Sequence, residues 1–222
     1  MATLTSKNIV VSCVRTSVSE GYVSQGNTSS SRSQLGARRV ARIAMIAALY
    51  AALSLVAMLF LGGLAWGPVQ FRISEAVTVL AMFTSDAIPG LTLGCVIANV
   101  ANIALSGTGT LGLLDVVFGS LATLMGATFS WRFRDRPALA VLGPVIANAL
   151  IVPAYLPLML QGMGFYTIPF TSISLDGAYL PMYLFGIVAT GLGEAVVMYA
   201  LGLPLHHALK GASLAERLSD EE

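Results

Sequence analysis

The apolar runs of this chain limit its fold more than any other feature does. A run of about 20 residues with few charges can cross the roughly 30 Å hydrocarbon core of a bilayer as an α-helix. Charged residues make up 10% of the chain, whereas soluble domains contain about 25%. The sequence therefore predicts an all-α integral membrane protein with six transmembrane helices, near residues 43–64, 73–83, 87–105, 111–131, 138–160 and 179–205.

The remaining segments flank this membrane domain. Residues 1–36 are rich in Ser and Thr and are expected to form a disordered leader, the membrane domain covers 37–209, and 210–222 form a charged cytoplasmic tail. The apolar patch Ile9–Val11 is too short for the core of a secretory signal. A net charge of +1 gives no basic field of the kind that attracts nucleic acid.

The distribution of cations predicts the topology. Six spans put both termini on one side of the membrane, and the Lys and Arg residues collect on that side, which makes it cytoplasmic. They are Arg32, Arg38, Arg39, Arg42, Arg132, Arg134, Arg136, Lys210 and Arg217. Arg72 is the one cation expected to face outward. We thus expect a multi-pass protein of the bacterial cytoplasmic membrane.

The second span is unusually short. Residues 73–83 do not cross the bilayer at 1.5 Å per residue, so this helix must recruit Phe71 and Arg72 or be broken. Short and broken helices are tolerated where they line a cavity. An interfacial helix is the alternative, but it would shift every later span and destroy the charge asymmetry.

Rare polar residues within the spans indicate a binding site. Arg72 and Glu75 would share one helical face, and an ionisable group in the membrane costs roughly 2.5–3.5 kcal/mol on insertion scales. The other candidates are Asn99, Asn102, Asp115, Asn148 and Glu194. Together they predict an outward-opening cavity for an organic solute. Two other roles for these polar residues stay open. They could form hydrogen bonds that only join helices, or they could couple transport to protons or sodium. The sequence shows no inverted repeat of the kind that builds coupled transporters, which argues against the second role.

No enzyme or metal site is predicted. The chain lacks the G-x-x-x-x-G-K-[ST] phosphate loop, so it has no ATPase of its own. The run Gly107–Gly112 fits G-x-G-x-x-G, but no strand precedes it. His206 and His207 are adjacent and do not share a helical face, which argues against a metal centre.

Two ladders of small residues predict close helix packing. Gly90, Gly94 and Ala98 are expected to pack inside the bundle. In the first helix, small residues recur at Ala37, Ala41, Ala44, Ala48 and Ala52. This longer ladder suits either internal packing or contact with another protein.

Four stretches resemble the queuosine-precursor transporter (QueT) family. The longest reads VQFRISEAVTVL at 69–80; the others are AIPG with GCVIAN at 87–99, LLDVVFGSLAT at 113–123, and GEA with LGLPL at 193–205. The resemblance covers residues 38–205. Ala81 and Met82 depart from it, because a proline is expected after the leucine.

This resemblance implies the substrate-binding (S) component of an energy-coupling-factor (ECF) importer, with a six-helix bundle. Its partners would be a transmembrane coupling subunit, met through the alanine ladder, and two ATPases that use the ATP; the chain itself would need no cofactor. The implied ligand is a 7-deazaguanine base such as queuine or its aminomethyl or cyano precursors. A related alternative is an S component for another vitamin-like solute.

The chemistry of the candidates suits such a base. A carboxylate accepts the N–H and amino group of a guanine-like edge as a pair, and amides both donate and accept. Phe71 or Trp66 would stack on the ring. The predicted substrate-binding residues are Phe71, Arg72, Glu75, Asn99, Asp115, Asn148 and Glu194.

Overall fold

The structure, a computed structural model of the chain, describes residues 36–61, 71–162 and 179–212. Every element in these ranges is a helix. They are α1 (Gly36–Leu61), a 3₁₀ helix (Ile73–Met82), α2 (Ala87–Ser106), α3 (Gly109–Arg132), α4 (Pro137–Ala140 followed by Leu142–Gly162) and α5 (Tyr179–Gly211). The five α elements are each long and apolar enough to cross a membrane. The predicted all-α membrane architecture is confirmed.

Both ends of the membrane domain extend further than the sequence suggested. Helix α1 begins at Gly36 rather than near Ile43, so Arg38, Arg39 and Arg42 belong to it instead of preceding it. Arg is a good helix former, which lets the helix continue beyond its apolar run. Helix α5 ends at Gly211 rather than near Leu205. The predicted leader up to residue 35, Trp66 and most of the charged tail lie outside the described residues.

The chain forms two compact units, 1–41 and 42–222. Within the first, residues 36–41 are helical. The second contains the 3₁₀ helix, whose residues are nearly all buried: Ser74, Glu75, Ala76, Val77, Thr78, Val79, Ala81 and Met82. A helix that is apolar on all sides belongs in the middle of a bundle.

The 3₁₀ geometry makes this short helix longer than an α-helix with the same number of residues. Its ten residues rise about 2.0 Å each and span about 20 Å, where an α-helix of this length would span about 15 Å. The sequence left two alternatives, extension through Phe71 and Arg72 or a broken helix. The structure has neither: both residues precede the helix in irregular backbone, and Ile73–Met82 is one 3₁₀ helix. The chain gains length by stretching the helix instead.

Two apolar clusters hold the 3₁₀ helix on opposite sides. Val77 and Ala81 pack with Tyr50 of α1, Leu91 of α2 and other buried residues. On the other side, Val79 and Met82 pack with residues of α4 and α5, namely Ala140, Val141, Val145 and Met198. The other helices of this unit are therefore arranged around it.

Glycines of α2 allow α1 to approach closely. A methyl group at Gly94 would lie 2.7 Å from the backbone oxygen of Ala47 and 2.8 Å from Tyr50 Cβ. One at Gly90 would lie 3.0 Å from Ile46 Cβ. The prediction that this ladder packs inside the bundle is confirmed.

Helix α4 packs its prolines against glycines on both neighbours. A methyl group at Gly126 of α3 would lie 2.8 Å from Pro144 Cα, and one at Gly186 of α5 would lie 2.6 Å from Pro153 Cβ. Pro153 and Pro157 interrupt the hydrogen bonds of α4. Tyr183 and Tyr179 donate to the carbonyl oxygens three residues before each proline, at 3.2 and 2.6 Å. Neighbouring hydroxyls thus satisfy backbone groups in apolar surroundings.

A buried ion pair joins α1 to the turn after the 3₁₀ helix. Arg42 Nη1 lies 3.5 Å from Asp86 Oδ2 and 3.4 Å from Thr84 Oγ1. Each of these three side chains is less than a tenth exposed. In the same part of the bundle, the Phe83 ring stacks on His206 at 4.8 Å. Arg42, which the sequence analysis used only to predict the topology, therefore also holds the start of α2.

Candidate functional site

Glu75 is fully buried at the start of the 3₁₀ helix, among hydroxyl groups from three helices. Its Oε1 accepts hydrogen bonds from Tyr50 and from Thr123 at 3.2 Å, and its Oε2 accepts one from Thr78 at 3.0 Å. Beside it, Ser54 donates to Ser74 at 2.8 Å. A buried carboxylate needs several donors to replace water, and here α1, α3 and the 3₁₀ helix supply them.

Arg72, Asn99 and Asp115 form the neighbouring cluster. Arg72 Nη2 donates to Asn99 Oδ1 at 3.5 Å, and Asn99 Nδ2 donates to the Asp115 backbone oxygen at 2.7 Å. The Asp115 carboxylate accepts a hydrogen bond from Tyr155 at 2.6 Å. Arg72 also lies within electrostatic range of this carboxylate. The structure thus brings three predicted site residues together.

A local change of helix type shapes this cluster. Residues Asp115–Gly119 form a π-helical turn within α3, a feature often found at functional sites. Gly119 faces the cluster: a methyl group there would lie 3.1 Å from Asn99 Nδ2, 3.6 Å from the Tyr155 hydroxyl and 3.7 Å from Arg72 Nη2. The turn therefore presents bare backbone to the polar side chains.

Glu194 and Asn148 complete the set from α5 and α4. Both are buried, at 1% and 0% exposure. Glu194 lies within electrostatic range of Glu75 and Arg72. The contact between Gly126 and Pro144 fixes the register of α3 against α4 and places Asn148 at the level of Thr123, the hydroxyl donor to Glu75. The three carboxylates and the guanidinium consequently occupy one region of the bundle.

A narrow pocket reaches this region. Its lining residues are Tyr50, Ser54, Ala57, Arg72, Ser74, Cys95, Ala98 and Asn99. It has room for about one water molecule. A larger molecule would fit there only if the helices or side chains around the pocket moved apart.

The structure adds residues that the sequence analysis missed. Tyr50, Thr123 and Tyr155 hold the predicted carboxylates. A Tyr or Thr within an apolar run resembles an ordinary membrane residue, so composition did not mark them. Phe71 directly precedes Arg72 and is partly buried; its stacking role stays a prediction, and Trp66 lies outside the described residues.

The alanine ladder of α1 lies beside the packed face of the helix. Ala47 and Ala51 are buried against the bundle, whereas Ala44, Ala48 and Ala52 are exposed. Ala37 and Ala41 belong to the first compact unit, where both are helical. Small exposed residues at this spacing form a shallow groove that suits a second helix.

The fold and this site define a multi-pass helical membrane protein with a polar, mostly acidic centre. A family model described as QueT transporter matches residues 40–211. Because this is more than half of the sequence, the chain belongs to the QueT transporter family, which is a family of membrane transporters. It is therefore a multi-pass protein of the cell membrane.

A curated relative supports this membership. The chain is 35% identical over 97 residues to the queuosine precursor transporter QueT of Lactococcus lactis subsp. cremoris strain MG1363. The match covers 44% of this chain and 52% of the relative, so it spans about half of that protein. No solved structure matches the chain.

Proposed function

We propose that this protein is the substrate-binding S component of an ECF-type importer that takes up a queuosine precursor, a 7-deazaguanine base. The observation that carries the proposal is the buried cluster of Arg72, Glu75, Asp115 and Glu194 inside the family domain. Such groups are costly in a membrane and are typical of a solute pathway. The curated relative is described as a transporter of a queuosine precursor.

The cluster offers partners for each polar edge of such a base. Carboxylates accept from the ring N–H and amino group, and Asn99 and Asn148 serve the carbonyl and ring nitrogens. Phe71 would contribute a ring face at the entrance. Three carboxylates share the site with one guanidinium among the described residues, so the site has acceptors for the amine of an aminomethyl precursor as well as for the base edge.

The exposed alanine ladder supports the partner assignment. Ala44, Ala48 and Ala52, preceded in α1 by Ala37 and Ala41, would meet a helix of the transmembrane coupling subunit. Two ATPase subunits would use the ATP, in keeping with the missing phosphate-loop motif in the sequence. The S component would then deliver its solute inward by toppling within the membrane.

Ligand-dependent stabilisation tests the proposal. The purified protein in detergent is heated with queuine, 7-aminomethyl-7-deazaguanine, 7-cyano-7-deazaguanine or adenine. A ligand at a hundred times its Kd stabilises the native state by about 2.7 kcal/mol, so the melting temperature should rise with the deazaguanines and not with adenine. Stabilisation by an unrelated vitamin alone would indicate a different solute, and none with any solute would favour a structural role.

Transport needs a second measurement in cells. A host that cannot make queuosine should recover the modified nucleoside when it expresses this chain with a coupling module and receives the precursor. Omission of the ATPase subunits is the control. Recovery without those subunits would contradict the ECF assignment while leaving the ligand assignment intact.

A further inference from the structure

The three buried carboxylates of the site differ in how their oxygens are satisfied. Glu75 accepts three hydroxyl donors, and Asp115 accepts Tyr155. By contrast, Glu194 Oε1 has no hydrogen-bond partner among the residues that the structure describes, and neither polar atom of Asn148 has one there. An unsatisfied buried polar group costs about 1–3 kcal/mol. Asn102 Oδ1, Ser120 Oγ and His206 Nδ1 also have no partner there, but among the three carboxylates of the site Glu194 alone has such an atom in the described residues. Glu194 and Asn148 are therefore suited to a ligand.

Helix register places these two residues at a similar level along the bundle axis. Helices α4 and α5 pack antiparallel: a methyl group at Gly191 would lie 3.2 Å from Ala149 Cβ, and one at Gly186 would contact Pro153. Asn148 is one residue before Ala149, and Glu194 is three residues after Gly191. In antiparallel helices these steps run in the same direction, so the two side chains lie within one helical turn, about 5.4 Å, along the bundle axis.

We infer that Glu194 and Asn148 are the pair that recognises the base edge, and that Glu75 is a positioning residue. The inference rests on the proposed function. Glu194 accepts the ring N–H and the 2-amino group of the deazaguanine, while the Asn148 amide donates to its carbonyl. Glu75 keeps Tyr50 and Thr123 in place beside the pocket.

A double-mutant cycle between protein and ligand tests this assignment. The two probes are 7-aminomethyl-7-deazaguanine and its 2-deamino analogue, and Kd is measured for the wild type, Glu194→Gln and the matched variant Glu75→Gln. Loss of a charge-assisted hydrogen bond costs about 1.5–3 kcal/mol, so the wild type should bind the analogue about 10- to 100-fold more weakly. Glu194→Gln should lose this preference, with the two Kd values within about threefold, because the changes remove the same interaction.

The controls separate this inference from the proposed function. Glu75→Gln should retain the preference for the 2-amino group even if its overall affinity falls. A wild type that binds none of 7-aminomethyl-7-deazaguanine, queuine and 7-cyano-7-deazaguanine overturns the proposed function. A wild type that binds both probes equally, or a preference that persists in Glu194→Gln, overturns only the inference. The comparison of probes on the wild type needs no variant, so equal binding of the two probes would overturn the inference even if Glu194→Gln fails to fold.

Discussion

Substitution of Ala48 by Leu should separate assembly from ligand binding. Ala48 is exposed on α1, between Ala44 and Ala52. A larger side chain at this exposed position should leave the isolated chain as stable as before, because exposed substitutions usually change the unfolding free energy by less than about 0.5 kcal/mol. At an interface of small residues, the added branched group holds the helices apart at a cost of about 1–3 kcal/mol. We therefore expect about a 5- to 100-fold weaker association with the coupling subunit.

The neighbouring alanine provides the matched control. Ala47 is 2% exposed, and its backbone oxygen lies where a methyl group at Gly94 would come within 2.7 Å. Ala47→Leu adds the same atoms one position along the helix, yet it overpacks the α1–α2 contact and should lower the melting temperature. Val188→Leu, on an exposed face of α5, controls for a larger side chain against lipid.

Three measurements in nanodiscs distinguish the outcomes: melting temperature, Kd for 7-aminomethyl-7-deazaguanine, and affinity for the purified coupling subunit. Ala48→Leu should match the wild type in the first two and fail in the third. If Ala48→Leu destabilises the chain as much as Ala47→Leu does, the ladder packs internally. If its association is unchanged, the coupling subunit binds elsewhere.

Three further predictions concern topology and packing. In a chain whose own cysteines have been replaced, a cysteine at Ser106 should react with an impermeant reagent from outside and one at Asp135 should not; the reverse pattern would invert the predicted orientation. Arg42→Gln should lower the unfolding free energy by about 3–5 kcal/mol, because it leaves the buried Asp86 without this ion pair, and adding Asp86→Asn should recover part of the loss; full additivity would mean that the pair is not coupled. Gly94→Ala should cost about 1–3 kcal/mol in a thermal or denaturant unfolding assay, since its methyl group would lie 2.7 Å from a backbone oxygen of α1; unchanged stability would mean that α1 moves freely.

The sequence predicted the long helices well because a bilayer demands apolar runs of a set length. It also identified 73–83 as too short, but not the 3₁₀ geometry that solves the problem. Eight of the ten residues in this helix are buried, so its pattern has no polar face from which a helical period can be measured. The 3₁₀ helix packs against neighbours from all five α elements, which no local pattern records.

The candidate site was predictable where its residues were chemically rare. A charge or an amide in a membrane helix is conspicuous, and Arg72, Asn99 and Asp115 do lie together. Their hydroxyl partners were not conspicuous. The ion pair of Arg42 with Asp86 was missed for another reason. The topology rule already accounts for a cation at the membrane edge, and the sequence gives no sign that this cation has a partner elsewhere in the bundle.

Gly119→Ala tests whether the ligand enters the cluster of Arg72 and Asn99. The added methyl group would lie 3.1 Å from Asn99 Nδ2 and 3.7 Å from Arg72 Nη2, which are ends of side chains that can shift. Ala is also favoured over Gly in a helix by about 1 kcal/mol, so the fold should be retained. The polar space is narrowed, and we expect weaker binding of 7-aminomethyl-7-deazaguanine at an unchanged melting temperature. Gly126→Ala is the contrasting variant, because its methyl group would lie 2.8 Å from a backbone carbon of α4. It should lower the melting temperature more than it weakens ligand binding. If Gly119→Ala binds the ligand as the wild type does, the cluster around Arg72 holds the helices together and the base lies wholly on the other side of the site.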